Sequence, residues 1–225
     1  MSVIRIRDVH KTYPVEPPIL ALRGVDLDLA PGERVAVLGR SGAGKSTLLN
    51  IVGLLDLPTS GTYELLGHDV AQVSRVRRDR LRAAALGFVF QDCHILGHRT
   101  VAENVELKLA ISGVPAADRP RLVGRTLARV GLSDRSHSLA RLLSGGEKQR
   151  LAVARAVVNG PKVLLADEPT GNLDEENADN VLALFTEQAE AGVGVIVITH
   201  DRRIARWADR TVSLRDGRLH DEDRR

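Results

Sequence analysis

Residues 39–46, which read GRSGAGKS, constrain the fold of this chain more than any other segment. They match the pattern G-x-x-x-x-G-K-[ST] and lie between the apolar run VAVL and the helical run LLNIVGLL. Glycines in such a loop let backbone amides surround phosphate oxygens, Lys45 supplies charge to the terminal phosphates, and the Ser46 hydroxyl can bind Mg²⁺. Because this loop needs a strand before it and a helix after it, the segment predicts a phosphate-binding α/β core.

The remaining hydrophobic patterns extend this core. Alternating residues at 25–29 and the apolar runs at 35–38, 163–166 and 193–199 predict strands, several of them buried on both faces. A break at residues 58–61 is expected from the sequence PTSG, and a turn at residues 215–217 follows the last predicted strand. Between residues 100 and 158 the apolar spacing is helical, which predicts a helical insert between two halves of the core.

Composition excludes several classes of protein. The chain has 225 residues and 43% hydrophobic content, enough for one well-packed domain, and no apolar run approaches the roughly 20 residues that cross a bilayer. Its charged start lacks the features of a secretory signal, so we expect a cytoplasmic location. Five arginines between Arg75 and Arg82 are more simply a solvated helix face than a nucleic-acid patch, since few aromatic residues stand among them.

Polar residues that end predicted strands are the candidates for chemistry. Asp167 and Glu168 follow the strand VLLA, so that one carboxylate can support Mg²⁺ and the next can orient a water and accept its proton. His200 ends the strand VGVIVIT and Gln91 ends the strand FVF. Since ligands of α/β sheets bind beyond the carboxyl ends of the strands, we expect these side chains to face the phosphate loop.

A second anion-binding feature lies at residues 143–150, LSGGEKQR. Ser144 and Glu147 have the spacing of a capping box, which predicts a helix start at Ser144. Two glycines in the first turn cost roughly 1 kcal/mol each relative to alanine, so their presence indicates that something needs a bare backbone there. A helix start concentrates free amides and positive dipole, and glycine would allow an anion to come close.

These motifs in this order, together with Leu173 and Asp174, resemble the ATP-binding subunits of ABC transporters over nearly the full chain. The resemblance implies an ATPase that uses ATP and Mg²⁺. It implies that Tyr13 stacks on adenine and that the triphosphate is held by Gly39, Arg40, Ser41, Gly42, Ala43, Gly44, Lys45, Ser46 and Thr47. The implied fold is a phosphate-loop (P-loop, RecA-like) core with an antiparallel β subdomain and an inserted α-helical subdomain.

The resemblance also assigns catalytic roles. Glu168 would be the catalytic base, His200 would contact the γ-phosphate, and Lys45 would bind the phosphates. Mg²⁺ would be held by Ser46 and Gln91 and, through water, by Asp167, with Gln91 also linking the metal to a membrane partner.

In this family the turn that corresponds to residues 144–147, called the signature turn, closes in one subunit on the ATP bound to another subunit. Ser144, Gly145, Gly146 and Glu147 would therefore bind the nucleotide of a partner copy, and Asp174 would lie at the shared interface. The chain has one phosphate loop and one such turn, so two copies are expected to pair head to tail. The expected division is a core with β subdomain at 1–91 and 159–225 and a helical subdomain at 92–158, in one ATP-binding domain spanning 1–225.

Three longer segments, GLLDLPTSGTYELLGHDV, RTVAENVEL and ADEPTGNLD, resemble the group of lipoprotein-release, macrolide-export and cell-division ATPases. This resemblance implies a transmembrane permease partner, no nucleic acid, and a peripheral position on the cytoplasmic face of the inner membrane. Two alternatives stay open: a soluble ABC-type ATPase that acts on DNA or ribosomes, and a nucleotide sensor that does not hydrolyse. An ATPase that acts on DNA or ribosomes would need long coiled coils, clamp domains or a second ATP-binding domain. A sensor that does not hydrolyse would not need a matching residue at every catalytic position, as this sequence has.

Overall fold

The computed structural model describes residues 2–222. In chain order the elements are β1 (Ile4–Tyr13), β2 (Ile19–Leu29), β3 (Arg34–Leu38), α1 (Lys45–Val52), β4 (Ser60–Leu65), β5 (His68–Asp69), α2 (Arg75–Ala85), β6 (Leu86–Phe90), α3 (Val101–Ile111), α4 (Arg119–Arg129), α5 (Gly145–Val157), β7 (Val163–Asp167), α6 (Glu175–Glu190), β8 (Gly194–Thr199), α7 (Arg202–Trp207), β9 (Arg210–Arg215) and β10 (Arg218–Asp221). Short 3-10 turns lie at Ala116–Asp118, Ser133–Arg135 and Ala140–Leu142.

Within these residues the strands form two sheets. The larger sheet has the order β10-β9-β3-β8-β7-β6, in which β9 to β6 are parallel and β10 pairs antiparallel with β9. The smaller sheet is antiparallel with the order β2-β1-β4-β5. Because β3, β6, β7 and β8 run in the same direction, the polar segments that follow them all lie at one edge of the larger sheet.

One hydrophobic cluster joins both sheets to the helix that follows the phosphate loop. It includes Ile4 and Ile6 of β1, Leu48 and Ile51 of α1, and Val37 of β3, all 1% exposed or less. The alternation of buried and exposed residues in β1 places its apolar face on this cluster. The smaller sheet is thereby packed beside the phosphate loop and forms one wall of the space next to it.

The helices between β6 and β7 have a cluster of their own, which includes Val105, Leu109 and Leu127. Helix α5 contributes Leu151 and Ala154 to that cluster, while its Val153 packs with the strands of the larger sheet. Since α5 is buried on both sides, it connects the helical segment to the core.

The structure confirms the predicted α/β fold with an antiparallel sheet and inserted helices. It also confirms the helix start at Ser144, where the hydroxyl accepts a hydrogen bond from the Glu147 amide and the Glu147 carboxylate accepts one from the Ser144 amide. The arginine-rich segment is helical, as expected, in α2. The division at residues 91/92 and 158/159 stays a prediction.

Two local expectations were incomplete. The break predicted at 58–61 ends earlier, because β4 begins at Ser60. Gly61 is thus a strand residue, and its φ of 90° and its closeness to the Asp8 carbonyl leave no room for a side chain. After the turn at Gly217 the chain forms a further strand, β10, whose pairing with β9 was not predicted. Among the described helices none is long and apolar enough to cross a bilayer.

Candidate active site

The phosphate loop connects β3 to α1 and depends on glycine at particular positions. Gly44 has a φ of 102°, and a Cβ there would lie 2.5 Å from the Ala21 carbonyl oxygen. The Lys45 ammonium donates to the carbonyls of Gly39 at 2.6 Å and Arg40 at 3.1 Å, so it lies across the loop. Ser46, in the first turn of α1, is exposed. The loop therefore presents a cation, a hydroxyl and a helix start to the same space.

A cavity of about 610 Å³ lies next to this loop, in the size range of small-molecule sites. Its walls come from three parts of the chain: the end of β1 with the start of β2, the phosphate loop, and the turn before β10. The lining residues are Tyr13, Ile19, Leu20, Ala21, Arg23, Arg40, Ser41, Gly42, Gly44, Lys45, Ser46, Thr47, Asp216 and Gly217. The predicted base contact, Tyr13, and seven of the predicted phosphate-loop residues thus line one cavity.

Two carboxylates follow one another at the end of β7. Burial raises the pKa of Asp167, the nearby charge of Glu168 raises it further, and Lys45 acts in the opposite direction. Glu168 has a φ of 45°, a left-handed conformation that is uncommon for a residue with a side chain. The two carboxylates therefore have different neighbours. Asp167 interacts electrostatically with Lys45, and Glu168 accepts a hydrogen bond from the end of β8.

Glu168 is held by both residues at the end of β8. One carboxylate oxygen, Oε1, lies 2.7 Å from His200 Nδ1, and the other, Oε2, accepts a hydrogen bond from Thr199 Oγ1 at 3.0 Å. The Glu168 side chain is 17% exposed and that of His200 is 77% exposed. The predicted base and the predicted γ-phosphate contact are therefore bonded to each other.

Thr199 is a site residue that the sequence reasoning missed. It is fully buried, and its hydroxyl oxygen accepts a hydrogen bond from the Asp201 amide at 3.0 Å. Because that amide uses the oxygen as acceptor, the hydroxyl proton is directed to Glu168. The available signal was a polar residue at the end of a strand that is otherwise apolar, directly before His200.

Gln91, after β6, donates from its amide nitrogen to the side-chain oxygen of Asn172 at 3.2 Å, which leaves its own oxygen available as a ligand. Within residues 2–222 no group of three or more histidine, cysteine, aspartate or glutamate residues could form a metal site alone. A Mg²⁺ ion bound mainly by phosphates, water, one hydroxyl and one carboxylate does not need such a group. The predicted donors, Ser46, Asp167 and Gln91, are hard oxygen ligands of the kind that this ion prefers.

The Ser144 turn begins α5 on the surface. Ser144 and Gly145 are exposed, and Gly145 has open space where a Cβ would be. Gly146 is buried, and a Cβ there would collide with the side chain of Asn177, so one of the two glycines has a packing reason within the chain. The first backbone amides of a helix have no hydrogen-bond partners within the helix. The capping box pairs the amides of Ser144 and Glu147. The amides of Gly145 and Gly146 are therefore left as donors.

Asp174, predicted at a shared interface, caps the start of α6 in this structure. Its carboxylate accepts hydrogen bonds from the Asn177 amide and side chain, which hold its pKa below the ordinary value. Asn177 also accepts from Arg150 of α5. The cap and the Ser144 turn are therefore neighbours, joined through Asn177.

Gln149 is a further buried residue that the sequence reasoning did not single out. Its side-chain nitrogen donates to the carbonyls of Pro169 at 2.7 Å and Phe90 at 3.3 Å, and its oxygen accepts from the Cys93 thiol at 2.7 Å. The helix that starts at the Ser144 turn is thus tied to the segments that carry Gln91 and Glu168.

The parallel sheet, with the phosphate loop, two carboxylates and a histidine at one edge, defines a phosphate-loop α/β protein. A family model described as ABC transporter matches residues 22–171. The chain belongs to the ABC transporter family.

Two curated relatives agree with this family. The chain is 44% identical over 221 residues to the pyoverdine export ATP-binding/permease protein PvdT of Pseudomonas aeruginosa, a match that covers 97% of this chain and 33% of the relative. It is 47% identical over 198 residues to the macrolide export ATP-binding/permease protein MacB of Azoarcus sp., covering 88% and 30%. The chain thus spans about a third of the length of the curated relatives it matches.

A solved structure covers both chains almost completely. It is the dimeric post-hydrolysis state of the ATP-binding cassette MJ0796 bound to ADP and Pi, with 35% identity, 98% of each chain covered and a TM-score of 0.89.

Proposed function

We propose that this chain binds and hydrolyses ATP with Mg²⁺, pairs head to tail with a second copy around two ATP molecules, and drives a transmembrane permease in an export or force-transmitting system. The observation that carries the proposal is the hydrogen-bonded set of Glu168, His200 and Thr199 at the sheet edge that also carries the phosphate loop. A carboxylate held in this way can orient a water and accept its proton.

In this proposal the cavity beside the phosphate loop holds the nucleotide. Tyr13 contacts the base, residues 39–47 hold the phosphates, and Lys45 leaves the loop carbonyls for the β- and γ-phosphates. The MJ0796 cassette, which shares the fold over 98% of its length, is bound to ADP and Pi. Mg²⁺ would be held by Ser46, by Gln91 and, through water, by Asp167, and it would neutralise charge on the phosphates.

The proposed dimer follows from the position of the Ser144 turn. The turn is exposed and presents free amides of a helix start, which suit an anion from outside the chain. MJ0796 is dimeric in its ADP-bound state. We therefore assign Ser144, Gly145, Gly146 and Glu147 to the nucleotide of the partner copy, with Asp174 at the interface.

The proposed permease follows from the relatives, whose names describe ATP-binding/permease export proteins and of which this chain matches about a third. The permease would be supplied by another segment or another chain. It would hold the ATPase peripherally on the cytoplasmic face of the inner membrane.

The substitution Glu168→Gln tests the hydrolytic part of the proposal. It removes the carboxylate that accepts a proton but keeps the size of the side chain, so ATP binding should persist while phosphate release falls to the background rate. A closed dimer with ATP should accumulate, measured by size-exclusion chromatography with light scattering.

Glu187→Gln is the matched control, because Glu187 is exposed, pairs with Arg129 at 2.7 Å and does not line the cavity. It should hydrolyse ATP as the unsubstituted chain does. Normal phosphate release by the Glu168→Gln variant would contradict the assignment.

A further inference from the structure

A charged pair, Lys11 and Asp56, contacts Tyr13 without lining the nucleotide cavity and has no role in the proposed chemistry. The Lys11 ammonium donates to Asp56 Oδ1 at 2.7 Å, and the Tyr13 hydroxyl donates to Asp56 Oδ2 at 3.2 Å. Lys11 Nζ also lies 5.0 Å from the centroid of the Tyr13 ring, within the range of a cation–π contact. Three side chains therefore form one closed set of contacts.

Asp56 belongs to the segment that follows α1, the helix of the phosphate loop. Its amide donates to the Asn50 carbonyl at 3.1 Å, and its Oδ1 accepts from the Leu57 amide at 2.7 Å. Lys11 donates in addition to the Leu57 carbonyl at 2.8 Å. The end of β1 is thereby tied to the end of α1, although the two are 45 residues apart in sequence.

The charges of this pair are partly sheltered from water, which makes the contacts more than a surface ion pair. The Lys11 side chain is 13% exposed and that of Asp56 is 32% exposed. Partial burial acts to raise the pKa of Asp56, but hydrogen bonds from Lys11, the Leu57 amide and Tyr13 together hold that pKa below its ordinary value.

Only one member of the set reaches the nucleotide cavity. Tyr13 lines the cavity, whereas Lys11 and Asp56 do not. The ammonium lies over the ring and the carboxylate anchors its hydroxyl end, so these two contacts hold both the position and the tilt of the ring. The part of the ring that faces the cavity stays open to a flat aromatic ligand such as a nucleotide base.

We propose that Lys11 and Asp56 are positioning residues for Tyr13: they orient the ring for the base of a nucleoside triphosphate and set the distance between the base site and the phosphate loop. This inference rests on the proposed binding of ATP to the cavity. Because both residues contact the Tyr13 side chain and neither lines the cavity, we expect the pair to act on the base and to leave phosphate binding unaffected.

A comparison of two ligands tests this. Dissociation constants for ATP and for inorganic tripolyphosphate, which has the phosphates without the base, would be measured by isothermal titration calorimetry for the unsubstituted chain, Lys11→Met, Asp56→Asn and Tyr13→Phe. Tyr13→Phe removes one hydrogen bond and Asp56→Asn removes one charge, whereas Lys11→Met removes two hydrogen bonds, a charge and the cation–π contact. ATP binding should weaken roughly 3- to 10-fold in each variant. Binding of tripolyphosphate should not change.

Two controls separate positioning from general damage. Glu187→Gln breaks an ion pair of the same 2.7 Å length whose residues do not line the cavity, so the binding of both ligands should stay unchanged. Tyr13→Phe keeps the ring and loses only the hydroxyl bonded to Asp56. Its effect on ATP affinity should therefore be smaller when Asp56→Asn is already present, as expected for partners in one interaction.

Equal weakening of ATP and tripolyphosphate would overturn the inference, since it would show damage to the phosphate loop through α1. Unchanged ATP binding in all three variants would overturn it as well, while the proposed function would stand. If the unsubstituted chain bound no ATP, the proposed function itself would fail. Should Lys11→Met not fold, Tyr13→Phe and Asp56→Asn retain the comparison of the two ligands.

Discussion

Thr199→Val removes the hydrogen bond that Glu168 receives from the fully buried Thr199 side chain at the end of β8, while leaving the shape of that side chain nearly unchanged. The Thr199 hydroxyl donates to Glu168 Oε2 at 3.0 Å and is oriented by the Asp201 amide. His200, the other partner, is 77% exposed and free to move to a phosphate. Thr199 is fully buried and stays in place. Without its hydroxyl, the contact that stays on the carboxylate once the His200 side chain leaves is the long hydrogen bond from the His200 backbone amide to Oε2, at 3.4 Å.

The expected loss of kcat in Thr199→Val follows from the charge on the acceptor of the lost hydrogen bond. A hydrogen bond to a charged acceptor contributes about 1.5–3 kcal/mol. Since about 1.4 kcal/mol corresponds to a factor of ten in rate, loss of the bond in the transition state should lower kcat about 10- to 150-fold. ATP affinity should hardly change, because Thr199 is absent from the walls of the cavity.

The measurement is steady-state phosphate release at saturating ATP, with ATP affinity determined separately by calorimetry. Thr199→Ser keeps the hydroxyl and should restore most of the rate. Thr211→Val is the matched control, because Thr211 lies on β9 of the same sheet and its hydroxyl donates to the Ala205 carbonyl of α7 at 3.1 Å. It loses a half-buried strand hydroxyl without touching Glu168.

A normal kcat in Thr199→Val would refute the reasoning, since it would show that Glu168 is positioned without this hydroxyl. A kcat lost equally in Thr199→Ser and Thr199→Val would also refute it, because the effect would then come from packing of the methyl group. Circular dichroism of each variant would show that the fold persists.

Two further predictions concern the connections of the helical segment. Gln149→Leu removes the side-chain donor to the carbonyls of Pro169 and Phe90 and should lower the free energy of unfolding by about 2–4 kcal/mol, measured by urea denaturation. An unchanged midpoint would contradict this prediction. Burial lowers the pKa of Lys108 to about 8, from 10.5 for an unperturbed lysine. Between these values the unfolded chain holds more protons, so stability should rise with pH, and Lys108→Met should lack this rise between about pH 8 and about pH 10.

The sequence predicted those parts of the site whose residues are all close together along the chain. The phosphate loop needed only the order of strand, glycines and helix, and the start of α5 needed only the spacing of Ser144 and Glu147. Such features depend on backbone rules that act over four to ten residues, so the pattern determines the structure. The strand ends that carry Asp167 and His200 were predictable for the same reason.

The missed residues are those whose role depends on a partner far along the chain. Thr199 bonds Glu168 across 31 residues, Gln149 reaches Phe90 across 59, and Lys11 reaches Asp56 across 45. Each looks ordinary in its own segment, because hydrogen-bond partners across a sheet are set by strand order and register. The sequence alone indicated parallel strands but neither their order nor which neighbours meet.

The contact between Glu168 and His200 connects two roles that the sequence assigned separately. While His200 Nδ1 stays 2.7 Å from Glu168 Oε1, that oxygen is already engaged by a donor, and a water would have to compete with it. In the proposed function a γ-phosphate attracts the exposed His200, which frees Oε1 while Thr199 still holds Oε2. The base would then be available to water only when nucleotide is bound. This order of events also explains why the buried partner is a neutral hydroxyl, since a buried cation would keep the carboxylate paired at every stage.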